Sequence, residues 1–144
     1  MIIENPKNIS FLTKANKYLE SLRLCIDEEA IQLTELLALE IKKVWTENRY
    51  IYICGNGGSA ANAIHMANDL QYGIGACGPP PELPGIRVEA LSANAGVVTC
   101  LANDTGYENI YSKQLEVKGK KDDLFIALSG SGNSQNIVKA IQIA

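Results

Sequence analysis

The sequence predicts an α/β protein with three layers, in which a parallel sheet is flanked by helices. Two apolar runs, Ile51–Cys54 and Leu124–Leu128, are each followed by a turn of small residues and then by a helical segment. A third short run, Arg87–Leu91, lies between them in the chain. Because strands that alternate with helices form parallel sheets, we predict that the three runs are strands of one sheet.

The composition is that of one globular domain, with 144 residues, 47% of them hydrophobic and 20% charged. A formal net charge of −3 argues against nucleic-acid binding by bulk electrostatics. The sequence shows no apolar run of membrane-spanning length and no signal-peptide pattern, so we expect no membrane partner. Four scattered cysteines predict reduced thiols in a cytoplasmic protein, and they are Cys25, Cys54, Cys77 and Cys100.

Two helices are predicted before the first strand, over residues 8–24 and 28–47. The apolar positions of the second cover more than one narrow stripe, and they are Ile31, Leu33, Leu36, Leu37, Leu39, Ile41, Val44 and Trp45. A single three-layer domain does not need so much apolar helix surface. We therefore predict that residues 1–48 pack against another subunit and that residues 49–144 form the sheet domain. The alternative is that both helices cover only their own sheet.

The first strand leads into a glycine turn and a helix predicted over residues 59–71. The turn consists of Gly55, Asn56, Gly57, Gly58 and Ser59. Glycines let the backbone approach a ligand, and the helix start offers free N–H groups with a favourable dipole. The pattern predicts an anion site, although glycines that serve only the geometry of the turn would look the same.

The middle of the chain is predicted to contain a loop over residues 73–85 and helices over 94–102 and 107–117. Consecutive prolines, Pro79 to Pro81, exclude regular structure from the loop. It is interpreted either as a rim or lid of the anion site or as a surface connector.

The third strand repeats this logic with the turn Ser129–Ser134 and a helix over 135–144. Its serine hydroxyls suit a phosphate ester that backbone amides already hold, and ligands of open α/β sheets bind at such strand ends. The two turns together predict a site for a phosphate-bearing small molecule. If the first strand lies between the other two, the third strand has an open edge. Either a missing C-terminal segment or a partner would then cover it.

His65, the only histidine, and Asp69 lie one helical turn apart on the helix that leaves the first turn. This pair allows three interpretations. It could contribute two ligands to zinc, with a further ligand from elsewhere. Asp69 could act as a general base beside a substrate carbonyl. The two side chains could also form an ordinary surface pair.

Four motifs of the chain resemble the sugar isomerase (SIS) domain of the phosphoheptose isomerases. They are Cys54–Ala61 (CGNGGSAA), His65–Leu70 (HMANDL), Ala102–Asp104 (AND) and Leu128–Ser134 (LSGSGNS). The resemblance implies a cytoplasmic homotetramer with a five-stranded parallel sheet. It also implies interconversion of sedoheptulose 7-phosphate and D-glycero-D-manno-heptose 7-phosphate for lipopolysaccharide or capsule sugars.

The resemblance also implies roles for individual residues. It places Asn56 and Asp104 against the sugar, makes His65 a zinc ligand, and puts Asp69 where the family usually has a glutamate that is both metal ligand and catalytic base. The residues implied or predicted to hold the phosphate are Gly57, Gly58, Ser59, Ser129, Gly130, Ser131 and Ser134.

The chain departs from the family pattern at several points. Asp69 is shorter than glutamate by one methylene, which retracts the carboxylate by about 1.5 Å. Gly130 replaces a threonine and Gly73 stands where an arginine is frequent. The family's general-acid histidine and further metal ligands lie on a C-terminal helix beyond Ala144.

Two functions follow as hypotheses. The first is an aldose–ketose isomerase in which Asp69 removes a proton beside the carbonyl. The second is a non-catalytic SIS module that binds sugar phosphates, or an adaptor of the replication initiator, as some relatives are. Sugar-phosphate binding without turnover would indicate the second.

Overall fold

The computed structural model describes residues 10–74 and 84–144. Its elements, in chain order, are α1 Phe11–Leu24, α2 Glu28–Thr46, β1 Tyr50–Gly55, α3 Gly58–Asn68, a π-helical turn Asp69–Gly73, β2 Arg87–Ala90, α4 Ala95–Thr105, a 3₁₀ turn Tyr107–Asn109, α5 Ser112–Lys118, β3 Leu124–Leu128 and α6 Gln135–Ile143. The chain forms two compact units, Met1–Leu39 and Glu40–Ala144. Within the described ranges, no helix is long and apolar enough to cross a membrane.

The first unit contains α1 and most of α2, and both helices begin at a capping side chain. The Ser10 hydroxyl accepts a hydrogen bond from the Thr13 N–H at 3.2 Å, and the Asp27 carboxylate accepts one from the Ala30 N–H at 2.8 Å. Such caps satisfy N–H groups that a helix leaves free at its start. Large apolar side chains of this unit are exposed, and they are Phe11, Leu12, Tyr18, Leu19, Leu22, Leu24, Ile26, Ile31, Leu33, Leu36, Leu37 and Leu39.

The second unit is built on a parallel sheet of order β2-β1-β3, which confirms the predicted fold class and places the first strand between the other two. β1 is the central strand, with Ile51 opposite Val88 on one side and opposite Leu124 on the other. The described residues form three strands, so the five-stranded sheet that the resemblance implies is not seen in them. Among these strands, β3 pairs with β1 alone and is an edge.

Alternate side chains of β1 enter two separate apolar clusters, one on each face of the sheet. Ile51 and Ile53 pack with residues of α2 and α3, while Tyr52 and Cys54 pack with residues of α5 and α6. All four are buried, as expected for a central strand covered by helices on both faces. The sheet therefore lies between two helical layers, and the carboxyl ends of β1 and β3 are held at one edge.

Three predicted helices differ from those observed. The helix predicted over 94–102 begins at Ala95 and continues to Thr105, three residues beyond its predicted end. The helix predicted over 59–71 is α-helical only to Asn68 and then widens into the π-helical turn. The helix predicted over 107–117 is a 3₁₀ turn followed by α5, because Ile110 and Tyr111 turn into the core between them.

The predicted loop 73–85 is wrong at its start, since Gly73 still belongs to the π-helical turn. Its central part, 75–83, lies outside the described residues, as do the expectation of a rim or lid and the prediction for Cys77.

Candidate functional site

The first turn brings the backbone of β1 very close to the start of α3. A Cβ placed on Gly55 would lie 2.6 to 2.7 Å from the backbone and Cβ atoms of Ser59, so only glycine fits there. Gly57 has φ of +55°, a conformation that glycine adopts without strain. No side chain of the described residues caps α3 at Gly57. The Ser59 N–H donates to the Asn56 carbonyl at 3.0 Å, and the helix start has no side-chain cap that would compete with an anion for its other N–H groups.

The second turn uses its serines to hold its own backbone. The Ser129 hydroxyl oxygen accepts a hydrogen bond from the Gly132 N–H at 3.1 Å, and the Ser131 hydroxyl oxygen accepts one from the Asn133 N–H at 3.3 Å. A hydroxyl that accepts such a bond still has its own hydrogen to donate. Ser134 is the residue before α6, and its side chain makes no capping bond within the described chain. The turn therefore offers several hydroxyl donors to a ligand.

An asparagine pair joins the first turn to the start of α6, which follows the second turn. The Asn56 amide donates to Asn136 Oδ1 at 2.9 Å, and the Asn136 amide donates to Asn56 Oδ1 at 2.8 Å. The Tyr107 hydroxyl also donates to Asn56 Oδ1, at 3.1 Å. These residues line a cleft of about 490 Å³ together with Ser134 and with Glu108, Gln135 and Lys139. Two predicted site residues, Asn56 and Ser134, thus share one cleft at the strand ends.

The charged groups of this cleft are paired with each other. The Lys139 ammonium donates to Asn109 Oδ1 at 2.9 Å and lies 3.7 Å from a Glu108 carboxylate oxygen. A second cleft, of about 370 Å³, lies at the opposite end of β3 against Asp123 and Leu124, and its lining includes none of the predicted site residues. Neutral donors of the two turns therefore dominate the candidate site.

His65 and Asp69 form the predicted pair at the far end of α3. His65 Nε2 lies 3.4 Å from Asp69 Oδ2, and 76% and 58% of the respective side-chain surfaces are exposed. The other carboxylate oxygen of Asp69 accepts a hydrogen bond from the Asn68 amide at 3.4 Å. Asp69 also begins the π-helical turn, a feature that is frequent at functional sites and that the sequence pattern did not indicate.

The donor set does not fit a complete zinc site. Catalytic zinc generally has three protein ligands. Within the described residues, no group of three histidine, cysteine, aspartate or glutamate side chains is arranged to hold a metal ion. His65 and Asp69 supply two donors, and the third is not found among them.

Asp104 makes its hydrogen bonds with residues of its own helix and not with the asparagine pair. It is exposed near the end of α4, where it accepts hydrogen bonds from Asn103 Nδ2 at 2.7 Å and from the Cys100 thiol at 3.5 Å. The hydrogen bond to the Asp104 carboxylate raises the pKa of the Cys100 thiol. No hydrogen bond in the described chain joins Asp104 to the residues of the cleft.

Sequence reasoning missed Asn136 and Tyr107. Asn136 is 1% exposed, yet a polar residue in the first turn of an amphipathic helix has the pattern of a solvated position. The only signal was the spacing of Asn136 two residues after Ser134. It becomes meaningful only once β3 is known to lie beside β1.

Comparisons with known proteins agree with this geometry. The model of the SIS domain family matches residues 10–144. The phosphoheptose isomerase of Aneurinibacillus thermoaerophilus is 38% identical over 117 residues, which cover 81% of this chain and 57% of that protein. Phosphoheptose isomerase 2 of Campylobacter jejuni is 38% identical over 116 residues, covering 81% of this chain and 55% of that protein. The chain thus spans little more than half the length of these relatives.

Solved structures give the same result. A phosphoheptose isomerase from Neisseria gonorrhoeae superposes with a TM-score of 0.75 at 30% identity, covering 90% of this chain and 66% of that one. A phosphoheptose isomerase from Francisella tularensis superposes with a TM-score of 0.75 at 26% identity, covering 94% of this chain and 70% of that one.

Proposed function

Because the chain belongs to the SIS domain family, we propose that it acts as a sugar-phosphate isomerase in heptose synthesis. The reaction would interconvert sedoheptulose 7-phosphate and D-glycero-D-manno-heptose 7-phosphate. The observation that carries this proposal is the pairing of Asn56 with Asn136, which lies between two donor-rich turns at the ends of neighbouring parallel strands. The relatives named above are isomerases, so the non-catalytic alternative is not favoured.

In this proposal the turns bind the phosphate and α3 carries the reactive pair. Ser59, Ser129, Ser131 and Ser134, with the backbone of Gly57, Gly58 and Gly130, would hold the phosphate. Asn56 and Asp104 would contact the sugar. Hydroxyl and N–H donors and the dipole of α3 would then stabilise the phosphate charge, so that binding requires no lysine or arginine.

Distances along α3 from the first turn match the length of a seven-carbon substrate at His65 and exceed it at Asp69. At about 1.5 Å per residue, His65 lies about 9 Å and Asp69 about 15 Å beyond Ser59 along the helix axis. Helical side chains lean toward the N-terminus, which brings the Asp69 carboxylate back toward the turn. An extended chain advances about 1.2 Å per bond, so the seven or so bonds from phosphorus to the ketose carbonyl carbon span roughly 8 Å.

Asp69 would act as the base of the isomerisation. Its carboxylate removes a proton from the carbon beside the carbonyl, giving an enediol, and returns a proton to the neighbouring carbon. A second proton moves from one substrate oxygen to the other, so nothing is gained or lost. The contacts of Asp69 with His65 and Asn68 fix where the carboxylate oxygens point.

Zinc enters this proposal only as an ion that His65 and Asp69 would bind. The pair would supply two donors, and any further ligand must come from outside the described residues or from another subunit. Direct titration with zinc tests this independently of turnover, since His65→Ala and Asp69→Ala should each abolish stoichiometric binding. Unchanged zinc affinity in both variants would remove zinc from the proposal.

We also infer a cytoplasmic homo-oligomer, with a tetramer as the expected state. The many exposed apolar side chains of α1 and α2 support this, because large exposed apolar areas mark interaction sites. A second copy of the chain is the proposed partner.

The test is turnover of sedoheptulose 7-phosphate followed by NMR. Asp69→Asn preserves the size of the side chain but removes the base, so we expect turnover to fall by at least about a hundredfold while the sugar phosphate still binds. Asp122→Asn, a matched change in the exposed turn before β3, should leave turnover unchanged. Full activity of Asp69→Asn would refute the role of Asp69, and binding without turnover by the unaltered protein would indicate the non-catalytic alternative.

A further inference from the structure

Asn136 is a buried polar side chain that holds another polar side chain. Only 1% of it is exposed, and buried amides require hydrogen-bond partners. It finds them in the Asn56 amide and in the backbone N–H of Ile137, which lies 3.0 Å from Asn136 Oδ1. Asn136 therefore links the start of α6 to the turn that follows β1.

The Ile137 N–H, which is shared between the Ser134 carbonyl at 2.9 Å and Asn136 Oδ1 at 3.0 Å, indicates the orientation of the side chains in this network. A backbone N–H can only donate, so the atom that faces it must be the oxygen of Asn136 rather than its nitrogen. The Asn136 nitrogen then points to Asn56, 2.8 Å away, and the facing atom of Asn56 must be its oxygen. The Tyr107 hydroxyl contacts that same oxygen at 3.1 Å, and it must therefore be the donor.

This orientation determines what Asn56 has left for a ligand. An amide oxygen accepts two hydrogen bonds and an amide nitrogen donates two. The Asn56 oxygen already accepts from Asn136 and Tyr107, and one of its two N–H groups already donates to Asn136. Within the described chain, one N–H donor remains at a side chain that lines the 490 Å³ cleft.

We propose that Asn136 and Tyr107 are positioning residues that hold Asn56 so that it presents one N–H donor, and no acceptor, to the sugar in the cleft. The inference rests on the proposed function, which supplies the sugar phosphate as ligand. It adds a specificity rule, because a lone N–H donor binds a hydroxyl or carbonyl oxygen and cannot accept from an ammonium group. An amino-sugar phosphate with its ammonium at this position would be disfavoured.

The orientation is tested without any ligand by NMR of side-chain amides in the ¹⁵N-labelled protein. The Asn56 signal is assigned by its disappearance in Asn56→Ala. We expect the hydrogen that donates to Asn136 to exchange slowly with water, and to exchange faster in Asn136→Ala. Rapid exchange of both hydrogens in the unaltered protein would overturn the proposed positioning, whatever the protein binds.

The consequence for the ligand is tested by calorimetric titration with sedoheptulose 7-phosphate and with inorganic phosphate. Asn136→Ala and Tyr107→Phe should weaken binding of the sugar phosphate about three- to tenfold and leave inorganic phosphate unaffected. Asn16→Ala, an exposed change on α1, is the control. Tyr107 is exposed, so its variant keeps the test available if Asn136→Ala does not fold.

A double substitution separates positioning from a merely structural role. If Asn136 acts through Asn56, then Asn56→Ala combined with Asn136→Ala should bind the sugar phosphate no more weakly than Asn56→Ala alone. Additive losses, or an equal loss of inorganic phosphate, would overturn the proposal. If the unaltered protein binds no sugar phosphate at all, the proposed function fails, and the NMR exchange rates alone decide whether Asn56 is positioned.

Discussion

At the scale of single residues, Gly55 is the position of the candidate site where the absence of a side chain matters most. β1 enters the turn so close to α3 that an added Cβ would lie 2.6 Å from the carbonyl carbon of Ser59. The Ser59 carbonyl carbon is a backbone atom of α3, and the backbone of β1 sets the position of the added Cβ, so the clash cannot be relieved by rotating a side chain. The identity of this residue is therefore set by geometry and not by ligand chemistry.

We expect Gly55→Ala to lower the free energy of unfolding by about 1–3 kcal/mol, the usual cost of forcing extra atoms into a packed site. Gly58→Ala is the matched control, because a Cβ at Gly58 meets no atom within 4 Å. That change should be neutral or stabilising by up to about 1 kcal/mol, since alanine favours the helix. Urea denaturation measures both, and equal stabilities of the two variants would contradict the argument.

The residue scale also shows what the sequence could not reveal. Gly55 and the serines of the second turn stand in local patterns that a single strand–turn–helix unit explains. Asn136 and Tyr107 do not, because each matters only through Asn56, which lies 80 residues from Asn136 and 51 from Tyr107 in the chain. Their role depends on which strands are neighbours, and that is decided by packing of the whole sheet.

At the scale of elements, the strands were predicted well because β1 and β3 combine apolar runs with unmistakable turns. The helix after β1 was predicted only in part. Its apolar spacing continues past Asn68, and the sequence does not show that the hydrogen-bond pattern changes to π-helical at Asp69. The Leu70 carbonyl in that turn accepts a bond from the Ile86 N–H at 2.9 Å, a tertiary contact with no local signature.

The element β1 should also govern how stability depends on pH. Burial raises the pKa of the Cys54 thiol to about 12. Burial, followed by the nearby Asp123 carboxylate, raises the pKa of the Tyr52 hydroxyl to about 12. Burial likewise raises the pKa of Tyr111, whose hydroxyl donates to the Gly55 carbonyl, to about 12. The folded protein therefore keeps protons that the unfolded chain releases above pH 9 to 10.

We expect these groups not to lower the free energy of unfolding below pH 9. As the pH rises from 9 to 12, we expect the free energy of unfolding to fall. The folded state binds more protons in this window, so the slope is negative, at most about 1.4 kcal/mol per pH unit for each group. Denaturation at a series of pH values measures it. Cys54→Ala should reduce the loss that begins near pH 9, and Tyr52→Phe the loss above pH 10. A slope that both variants leave unchanged would show that these groups do not cause it.

At the scale of the whole molecule, the two units differ in how their apolar side chains are used. The sheet unit buries the large residues of β1 in two clusters. The helices of the first unit leave theirs exposed, with Leu33 and Leu36 of α2 58% and 59% accessible. At about 25 cal/mol per Å² of apolar surface, covering such faces is a strong drive for association. The excess of apolar surface on α2 was evident from the sequence, but what covers it was not.

We therefore predict that one charge on this face disrupts the assembly while an equal charge beside it does not. Leu33→Glu places a carboxylate on the exposed apolar surface of α2, and burying it in an interface would leave it unpaired. Gln32→Glu adds the same charge one residue earlier, at an exposed polar position of the same helix. Light scattering after size exclusion should show the unaltered protein and Gln32→Glu at a multiple of the 15.6 kDa chain mass, and Leu33→Glu at a smaller mass. A monomeric unaltered protein, or an assembly that survives Leu33→Glu, would show that this face is not where copies of the chain meet.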